Sequence, residues 1–425
     1  MIDWEDCSNY CFSLKTMYES LRRYQIVLLL VGLWPNDFTA LWKIVLYELY
    51  TWFFLLHFVM VTVMRFLQAY YSQFDLELFT KASFECGFAV LLMLEILTMF
   101  VLRYKIRDIV MEMRDKFLRD QRVLEKCDWH EDVLFKALFV VELPAVLAEI
   151  VHCLLLPSKP ADYRFNSYWN KTHPERRMPF PLVMPCDDTL SPCLEIEAVL
   201  VVIEIFQGIA LMFFSYTLVP SFITQVCGQF KILLEKIERI SDVLDQNNNE
   251  EDRESGNEIS LLTSQSLKDS DVKEVVKMHD SLLNISHKVI KLMRPFIFLK
   301  TFFSFGMLSV GLFTTLTLGI GSPSFFVAGG FLVVATLELF LVCIYSENLS
   351  TSSLAVYNAA YNVSWPDMKE SSKKSLLLLM LRSQRPLQLN VKSNFVPLDL
   401  NTFIQVIQTC YSFFTVLRET LGKQN

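Results

Sequence analysis

Long apolar stretches separated by short charged segments dominate the pattern of this 425-residue chain. No Asp, Glu, Lys or Arg occurs from Ile205 to Phe230, from Thr301 to Leu337 or from Leu400 to Leu417. Because about 20 helical residues cross about 30 Å of hydrocarbon, such stretches predict membrane-spanning helices. We place seven spans at residues 40–64, 82–102, 133–156, 194–220, 295–319, 324–346 and 398–418.

The pattern therefore predicts an all-α polytopic membrane protein with seven transmembrane helices and a cytosolic helical anchor layer. A further amphipathic helix is predicted at residues 366–384, beneath the membrane. The chain divides into a cytosolic N-terminal segment (1–39), spans one to four (40–220), cytosolic extensions of spans four and five (221–294) with a disordered insertion near 246–258, spans five and six (295–346), a cytosolic anchor helix region (347–396), and the seventh span with an outer C-terminus (397–425).

The basic residues orient these spans, because cytoplasmic loops carry an excess of Lys and Arg. Of the 39 Lys and Arg residues, 27 fall on the predicted side of the N-terminus and 9 on the opposite side. We therefore predict that the N-terminus is inside the cell and the C-terminus outside. G-protein-coupled receptors also have seven spans, but their N-terminus is outside, so that class is excluded.

The predicted outer loop, residues 157–193, carries two features of an extracellular segment. Asn170 begins a glycosylation sequon, although three further sequons fall on the predicted inner side. Cys186 and Cys193 share this loop and either pair in an oxidising compartment or remain free thiols. The other eight cysteines show no metal-ligand spacing, so the sequence predicts no metal site.

Composition agrees with a membrane protein and points away from several functions. Apolar residues make up 52% of the chain and charged residues 20%, and the mean hydropathy is +0.34. A net charge of −7 indicates no nucleic-acid partner. The motifs HExxH, GxSxG, GxGxxG and the P-loop are absent from the sequence. We therefore predict no enzyme activity, no catalytic residue and no cofactor.

Acidic residues inside predicted spans are expensive to bury and indicate a wet cavity, a partner or an ion path. Glu149 and His152 lie three positions apart, on one face of the third span. They either line a ligand pocket or form an ordinary interhelical hydrogen bond. A transporter would be favoured if Glu142 or Glu149 proved essential for uptake, although we find no internal repeat in support.

The seventh span has the clearest pattern of side chains. Gln405, Thr409, Ser412 and Val416 follow one another at steps of 4, 3 and 4 residues and so share one helical face, with Phe413 beside them. A polar stripe on a span indicates either helix packing or a water path. An apolar residue near one end of such a stripe is what a hydrophobic gate requires.

Several C-terminal motifs are familiar as a set: Tyr361–Trp365, Lys373-Lys374, Gln384–Pro386, Pro397–Phe403 and Thr409–Arg418. They closely resemble the C-terminal signature of insect odorant receptors. Gly32–Pro35 before the first span, the predicted inner N-terminus and the chain length fit the same family. The final span differs from the pattern of the related gustatory receptors, and the ending differs from that of the obligate coreceptor. The chain therefore resembles a ligand-tuning subunit.

The resemblance implies an odorant-gated, nonselective cation channel that forms a heterotetramer with the odorant receptor coreceptor. Its place would be among the lipids of the plasma membrane of olfactory sensory neuron dendrites. The seventh span would line the pore, with the apolar gate at Val416 and with Ser412 and Phe413 one turn inward.

The family pocket lies in the outer halves of spans two, three, four and six, where a small volatile organic ligand would bind. Those halves supply here Phe84, Phe88, Leu91, Ala145, Ala148, Glu149, His152, Val201, Ile205, Phe325 and Phe326. This aromatic, hydroxyl-poor set favours an apolar volatile. The alternatives are a seven-span receptor that signals through a second messenger without its own pore, and a membrane transporter.

Overall fold

The computed structural model describes residues 19–35, 40–117, 160–176, 180–251, 258–317, 323–363, 368–390 and 398–422, with Trp365 and some residues between 123 and 140. Within these residues we find nine helices, in agreement with the predicted all-α fold. They are α1 (Glu19–Leu30), α2 (Leu41–Tyr71), α3 (Leu76–Lys116), α4 (Pro160–Tyr168), α5 (Cys193–Glu251), α6 (Glu258–Thr317), α7 (Pro323–Asn362), α8 (Glu370–Ser383) and α9 (Leu400–Gly422).

Six of the predicted spans fall, in order, on α2, α3, α5, α6, α7 and α9, and the helices are mostly longer than the spans. The third span, 133–156, lies mostly outside the described residues. By length and apolar composition, four described segments can cross a membrane: Leu41–Tyr71, Leu78–Lys116, Thr217–Asp242 and Leu332–Asn362. Large apolar side chains on α2, such as Trp42, Leu49 and Phe53, are exposed, as expected for residues that face lipid.

The two longest helices, α5 with 59 residues and α6 with 60, each contain one proline. Pro220 and Pro295 stand where the predicted spans meet their predicted cytosolic extensions. A proline removes one backbone hydrogen bond and disturbs the helix locally. Each helix nevertheless runs from the predicted membrane region into its predicted extension.

The predicted disordered insertion differs in part from the structure. The helix α5 continues to Glu251, and α6 begins at Glu258, so much of the segment 246–258 is helical. The intervening residues 252–257 lie outside the described part of the chain. The polar composition on which the prediction rested does not prevent a helix, because Gln, Glu and Arg have good helix propensity.

The helix α8 packs against α6 and α7, which in turn pack against α5. We call the part of α5 after Pro220, the part of α6 before Pro295, the part of α7 after Ser346 and α8 together the anchor layer. Its centre is dry, since Phe230, Leu233 and Met293 are each 0% exposed. These side chains belong to the largest apolar cluster of the described residues, which also includes Leu376 and Leu379 of α8. The predicted helix 366–384 is therefore observed as α8, buried along one side.

A buried turn joins α1 to α2. Gly32 has φ +74°, a left-handed conformation that other residues rarely adopt, and a Cβ there would lie 3.1 Å from the Thr51 hydroxyl oxygen. The Thr51 hydroxyl donates to the Gly32 carbonyl at 2.6 Å, and the Tyr47 hydroxyl donates to the Trp34 carbonyl at 2.8 Å. Because Leu33 and Trp34 are also buried, this part of the predicted N-terminal segment belongs to the folded core.

Candidate functional site

Three of the predicted ligand-binding residues line a single cavity, which we call the bundle cavity. Phe84, Phe88 and Leu91 follow one another at steps of 4 and 3 residues, so α3 presents them on one face. About 350 Å³ of empty space, open solvent included, lies between these side chains and the remaining lining from α6 and α7: Ser304, Met307, Val334, Ala335 and Glu338. It is therefore an aromatic and aliphatic pocket with one carboxylate in its wall.

Glycines allow α3 and α6 to approach each other beside this cavity. A Cβ on Gly87 would lie 3.3 Å from the Met307 sulfur, and a Cβ on Gly311 would lie 3.3 Å from a ring carbon of Phe84. Both neighbours, Met307 and Phe84, are cavity residues. The two glycines therefore help to determine how wide the bundle cavity is between these helices.

A buried charge cluster lies directly beside the bundle cavity. Lys300 of α6 pairs with Glu338 of α7, and its Nζ lies 3.6 Å from Oε1 of Glu95 on α3. All three side chains are buried: Lys300 is exposed by 3%, and Glu95 and Glu338 by 7% each. Buried charges are retained only when paired, so this cluster connects α3, α6 and α7 by electrostatic attraction.

Sequence reasoning did not place Lys300 or Glu338 in the pocket, yet a signal was present. The charge-free stretch Thr301–Leu337 is bounded by these two residues, which pair with each other in the structure. Single opposite charges at the two ends of an apolar helical hairpin are candidates for a buried pair. Their distance in the sequence, however, does not show that α3 supplies the third member.

A second buried cluster centres on Arg65 of α2. Its guanidinium lies 2.9 Å from Glu85 of α3 and 2.9 Å from Glu204 of α5, and its Nε donates to Glu204 at 3.1 Å. Arg65 thus contacts two carboxylates on two other helices, which suits the planar fork of a guanidinium. Glu85 and Glu204, two acids within the predicted spans, are therefore structural partners of Arg65.

A second cavity, which we call the loop cavity, lies beneath residues 171–190 at the end of the bundle where α5 begins; we call this the loop end. It has about 670 Å³ of empty volume. Its lining is mostly polar or charged: Gln68, Leu78, Lys81, Ala82, Glu85, Phe165, Asn166, Lys171, Arg176, Pro181, Leu182, Asp188, Thr189, Leu194 and Glu197. The two cavities use different faces of α3 and share none of these described lining residues.

The loop above this cavity is held by local bonds. Cys186 and Cys193 are joined by a disulfide with a Cα–Cα distance of 6.4 Å. Asp187 accepts hydrogen bonds from Thr172 and Thr189, which hold the pKa of its carboxyl well below the usual range. Asn170 lies exposed at a turn, as a glycosylated residue must; its glycosylation stays a prediction.

The other predicted ligand residues do not join the bundle cavity lining. Val201 and Ile205 of α5 pack instead in a cluster with Val61 and Leu182. Phe325 and Phe326 lie on α7, but their side chains are outside the described part of the structure. The four residues of the third span, Ala145, Ala148, Glu149 and His152, lie outside the described residues, as does Glu142.

The helix α9 has two unlike faces. Cys410 and Phe414 are buried, and Cys410 packs in a cluster with Leu308 of α6 and with Leu339 and Cys343 of α7. The predicted pore residues occupy the exposed side: Gln405, Thr409, Ser412, Phe413 and Val416. Phe413 and Val416 on this side are exposed by 48% and 61%.

The hydroxyl groups of this stripe return to their own helix. The Thr409 hydroxyl donates to the Gln405 carbonyl at 2.7 Å, and the Ser412 hydroxyl donates to the Gln408 carbonyl at 2.9 Å. Their donors are thus engaged while their oxygens stay on the exposed side. Such a surface tolerates either lipid or water beside it.

Comparison with known proteins places the chain among sensory receptors. A family model described as 7tm Odorant receptor matches residues 75–411. Odorant receptor Or2 of Anopheles gambiae is 29% identical over 149 residues, which are 35% of this chain and 39% of that receptor. Odorant receptor 67c of Drosophila melanogaster is 39% identical over 90 residues, 21% of this chain and 22% of that receptor. The matched part thus spans less than two fifths of the length of each of these relatives.

A solved structure shares the fold over nearly the whole chain. The insect olfactory receptor OR5 from Machilis hrabei, in complex with eugenol, matches with a TM-score of 0.69 over 94% of this chain and 97% of that one, at 12% identity. At that identity the likeness concerns the fold. The family match covers well over half of the sequence and includes α3, α6 and α7, which line the bundle cavity, and about half of α9. The chain belongs to the 7tm odorant receptor family, a family of receptors and not of enzymes.

Proposed function

We propose that the chain is the odorant-binding subunit of a ligand-gated, nonselective cation channel that assembles with the odorant receptor coreceptor in the plasma membrane. The observation that carries this proposal is the arrangement of α6 and α7. One face of these helices lines the bundle cavity, and another face packs against α9. A ligand in the cavity therefore touches the same helices that support the proposed pore helix.

The connection between cavity and pore helix is short. Ala335 lines the cavity and also packs against the cluster that contains Cys410 of α9. The Cys410 sulfhydryl of α9 donates to the Phe305 carbonyl of α6 at 3.8 Å. Phe305 is the residue next to Ser304, which lines the cavity. Because packed interfaces shift between discrete arrangements, a ligand that favours one arrangement of α6 and α7 biases α9 as well.

The lining indicates the class of ligand. Burying about 250 Å² of a small apolar molecule yields about 6 kcal/mol, at about 25 cal/mol per Å². Lost translational and rotational freedom consumes much of this, so affinity is modest and selectivity comes from the shape of the cavity. The olfactory receptor of the same fold that was solved with eugenol supports a small aromatic volatile as a reasonable probe.

The proposed gate is the apolar position Val416, with Ser412 and Phe413 one turn inward and Gln405 and Thr409 further along the stripe. In a tetramer these exposed residues of α9 would face one another around a central axis. A ring of valine side chains can exclude water from a narrow pore, which closes it without a physical plug.

Recording from cells that express this chain with the coreceptor tests the proposal. We expect volatile-evoked cation currents, and we expect Phe88→Ala to raise the half-maximal concentration by roughly ten- to hundredfold, because a buried aromatic contact is lost. Phe302→Ala is the matched control, since Phe302 lies exposed on α6, and its response should equal that of the wild type. Absence of current over a broad volatile panel, with the chain at the cell surface, would contradict the proposal.

The recording also separates the alternatives. A receptor that acts through a second messenger would lose its response in excised patches, whereas a channel keeps it. A transporter would give saturable uptake of the ligand without unitary currents. For the gate itself, Val416→Ser should increase the resting current severalfold, while Val333→Ser, at an exposed position of α7, should leave it unchanged.

A further inference from the structure

The loop cavity is a built polar site with no role in the proposed odorant pocket. Its walls come from the ends of α2, α3 and α5, from α4 and from loop residues that precede α5, so five separate parts of the chain converge on it. The residues that matter for its chemistry are three cations and four oxygen-bearing acceptors: Lys81, Lys171 and Arg176, and Gln68, Glu85, Asp188 and Glu197.

The cations of this cavity are already engaged. Lys171 Nζ lies 2.6 Å from Asp188 Oδ2, and Arg176 Nη1 donates to the Thr189 carbonyl at 2.6 Å. Lys81 Nζ lies 3.7 Å from Glu85 Oε1, and Glu85 is also bound by Arg65 at 2.9 Å. An anionic ligand would therefore have to displace existing partners from each lysine or arginine.

The acceptors are not all engaged. Gln68 Oε1 and Asp188 Oδ1 are buried and have no hydrogen-bond partner among the residues that the structure describes. Both residues are more than nine-tenths buried and line the cavity. These two oxygen atoms of cavity-lining residues thus lack hydrogen-bond donors from the described residues.

Glu197 adds a further buried carboxyl group to this need for hydrogen-bond donors. It is 2% exposed and accepts a hydrogen bond from the Leu182 backbone N–H at 2.8 Å. Within the described part of the chain no ion pair is formed by Glu197, although Arg65, Lys81 and Lys171 each have a carboxylate partner. A buried carboxylate is stable when a cation or several donors accompany it.

We propose that the loop cavity binds a small protonated primary amine. The ammonium group carries three N–H donors and one positive charge, and it meets Gln68 Oε1, Asp188 Oδ1 and the Glu197 carboxylate. The apolar part of the cavity, formed by Leu78, Ala82 and Leu194, accommodates a short hydrocarbon chain. A bare metal ion fits less well, because no group of three or more His, Cys, Asp or Glu with metal-binding geometry is found among the described residues.

The test uses the purified full chain and measures its thermal unfolding midpoint as a function of ligand concentration. The probes are n-butylamine, n-butanol and sodium butyrate at pH 7.5, which share a carbon skeleton and differ in charge. We expect a saturable rise of the midpoint with butylamine, because a ligand that binds only the native state stabilises it. Butanol and butyrate should give no saturable effect.

Two variants locate the binding. Glu197→Gln removes the charge and keeps an acceptor for the Leu182 N–H, and Gln68→Leu removes an acceptor without a change in charge. Each should weaken butylamine binding at least tenfold. Glu195→Gln, at an exposed position of the same helix, is the control and should bind as the wild type does.

Several results would overturn the proposal: an equal response to butylamine and butanol, full binding by Gln68→Leu, or no saturable response to any probe, which would mean that the cavity holds water alone. Phe88→Ala should leave butylamine binding unchanged. Because this measurement needs neither coreceptor nor current, its failure is distinct from a failure of the proposed channel function.

Discussion

Around the bundle cavity, α6 and α7 direct Lys300, Met307 and Glu338 towards α3. In the anchor layer, by contrast, the same two helices bury Met293, Leu349 and Val356, each exposed by 1% or less. The region around the bundle cavity therefore combines empty volume with buried charge, and the anchor layer combines dense packing with apolar side chains. A ligand can rearrange the region around the bundle cavity with little loss of contact between side chains, because a cavity is already present there. The anchor layer resists deformation because its apolar side chains are closely packed.

The largest expected effect concerns the charge cluster beside the bundle cavity. Lys300→Met leaves Glu95 and Glu338 buried without their cation, which costs about 3–5 kcal/mol of unfolding free energy. We expect a strong fall in the thermal midpoint and in surface expression. Lys288→Met is the control, because Lys288 pairs with Glu112 on the surface at 2.7 Å, and such pairs contribute at most about 1 kcal/mol.

A companion variant separates charge from packing at this place. Adding Glu95→Gln and Glu338→Gln to Lys300→Met removes all three charges, and stability should recover in part. If the triple variant is as unstable as the single one, the uncompensated charge is not the cause.

The next effect concerns packing in the anchor layer. Leu233→Ala opens a cavity in a completely buried place and should cost about 2–5 kcal/mol. Chemical denaturation of the purified protein measures this loss. Leu354→Ala is matched in chemistry but lies at an exposed position of α7, so we expect a change below about 1 kcal/mol. Similar losses in both variants would contradict the distinction between the two environments.

A pH dependence is expected in the same layer. His279 is buried against α8, with Nε2 3.4 Å from the Ser383 hydroxyl. Burial lowers the pKa of His279 to about 4. The positive charge of Arg382 also lowers this pKa, whereas the negative charge of Asp280 raises it. In the unfolded chain the same group takes up a proton near pH 6.5.

The direction in which stability changes with pH follows from these two pKa values of His279. As the pH falls from about 6.5 to 4, the unfolded state binds a proton that the native state does not, so stability decreases, by on the order of 3 kcal/mol at most. Thermal midpoints measured across this range should show the decrease in the wild type and a smaller one in His279→Gln. Identical curves for the two proteins would argue that other groups dominate.

The smallest expected change in stability comes from Gly87→Ala beside the bundle cavity. The new methyl group would lie 3.3 Å from the Met307 sulfur, and the flexible methionine can yield, so the gain in helix propensity offsets most of the contact strain. The shape of the cavity nevertheless changes, and we expect severalfold changes in ligand potency at nearly constant thermal midpoint. Gly208→Ala, with no heavy atom within 4 Å of the new Cβ, should leave ligand potency unchanged and raise the thermal midpoint slightly through helix propensity.

Much of the candidate site follows from helical periodicity. Phe84, Phe88 and Leu91 were predicted for a pocket, and they do line one cavity, because steps of 4 and 3 residues place them on one face. The stripe from Gln405 to Val416 was likewise recognised from spacing, and it lies on one exposed face of α9. Spacing alone left open whether that face packs within the chain, and the structure shows that Cys410 and Phe414 pack instead.

Other parts could not be predicted, since periodicity says which residues share a face but not which helix lies opposite. Val201 and Ile205 were grouped with the residues of α3, but they pack near Val61. The walls opposite Phe88 come from α6 and α7, and α6 was not expected to contribute. The rotation of each helix about its axis and the choice of neighbours depend on contacts between distant residues.

The amino-acid sequence by itself determined the helices, the membrane character and the family, because each is encoded locally in runs of apolar residues, in spacing and in motifs. Only the tertiary structure decided that Lys300 meets Glu95 and Glu338, that Arg65 joins Glu85 and Glu204, and that two cavities lie on different faces of α3. The physical reason is that a charge can be buried only where its partners converge, and those partners come from helices far apart in the chain.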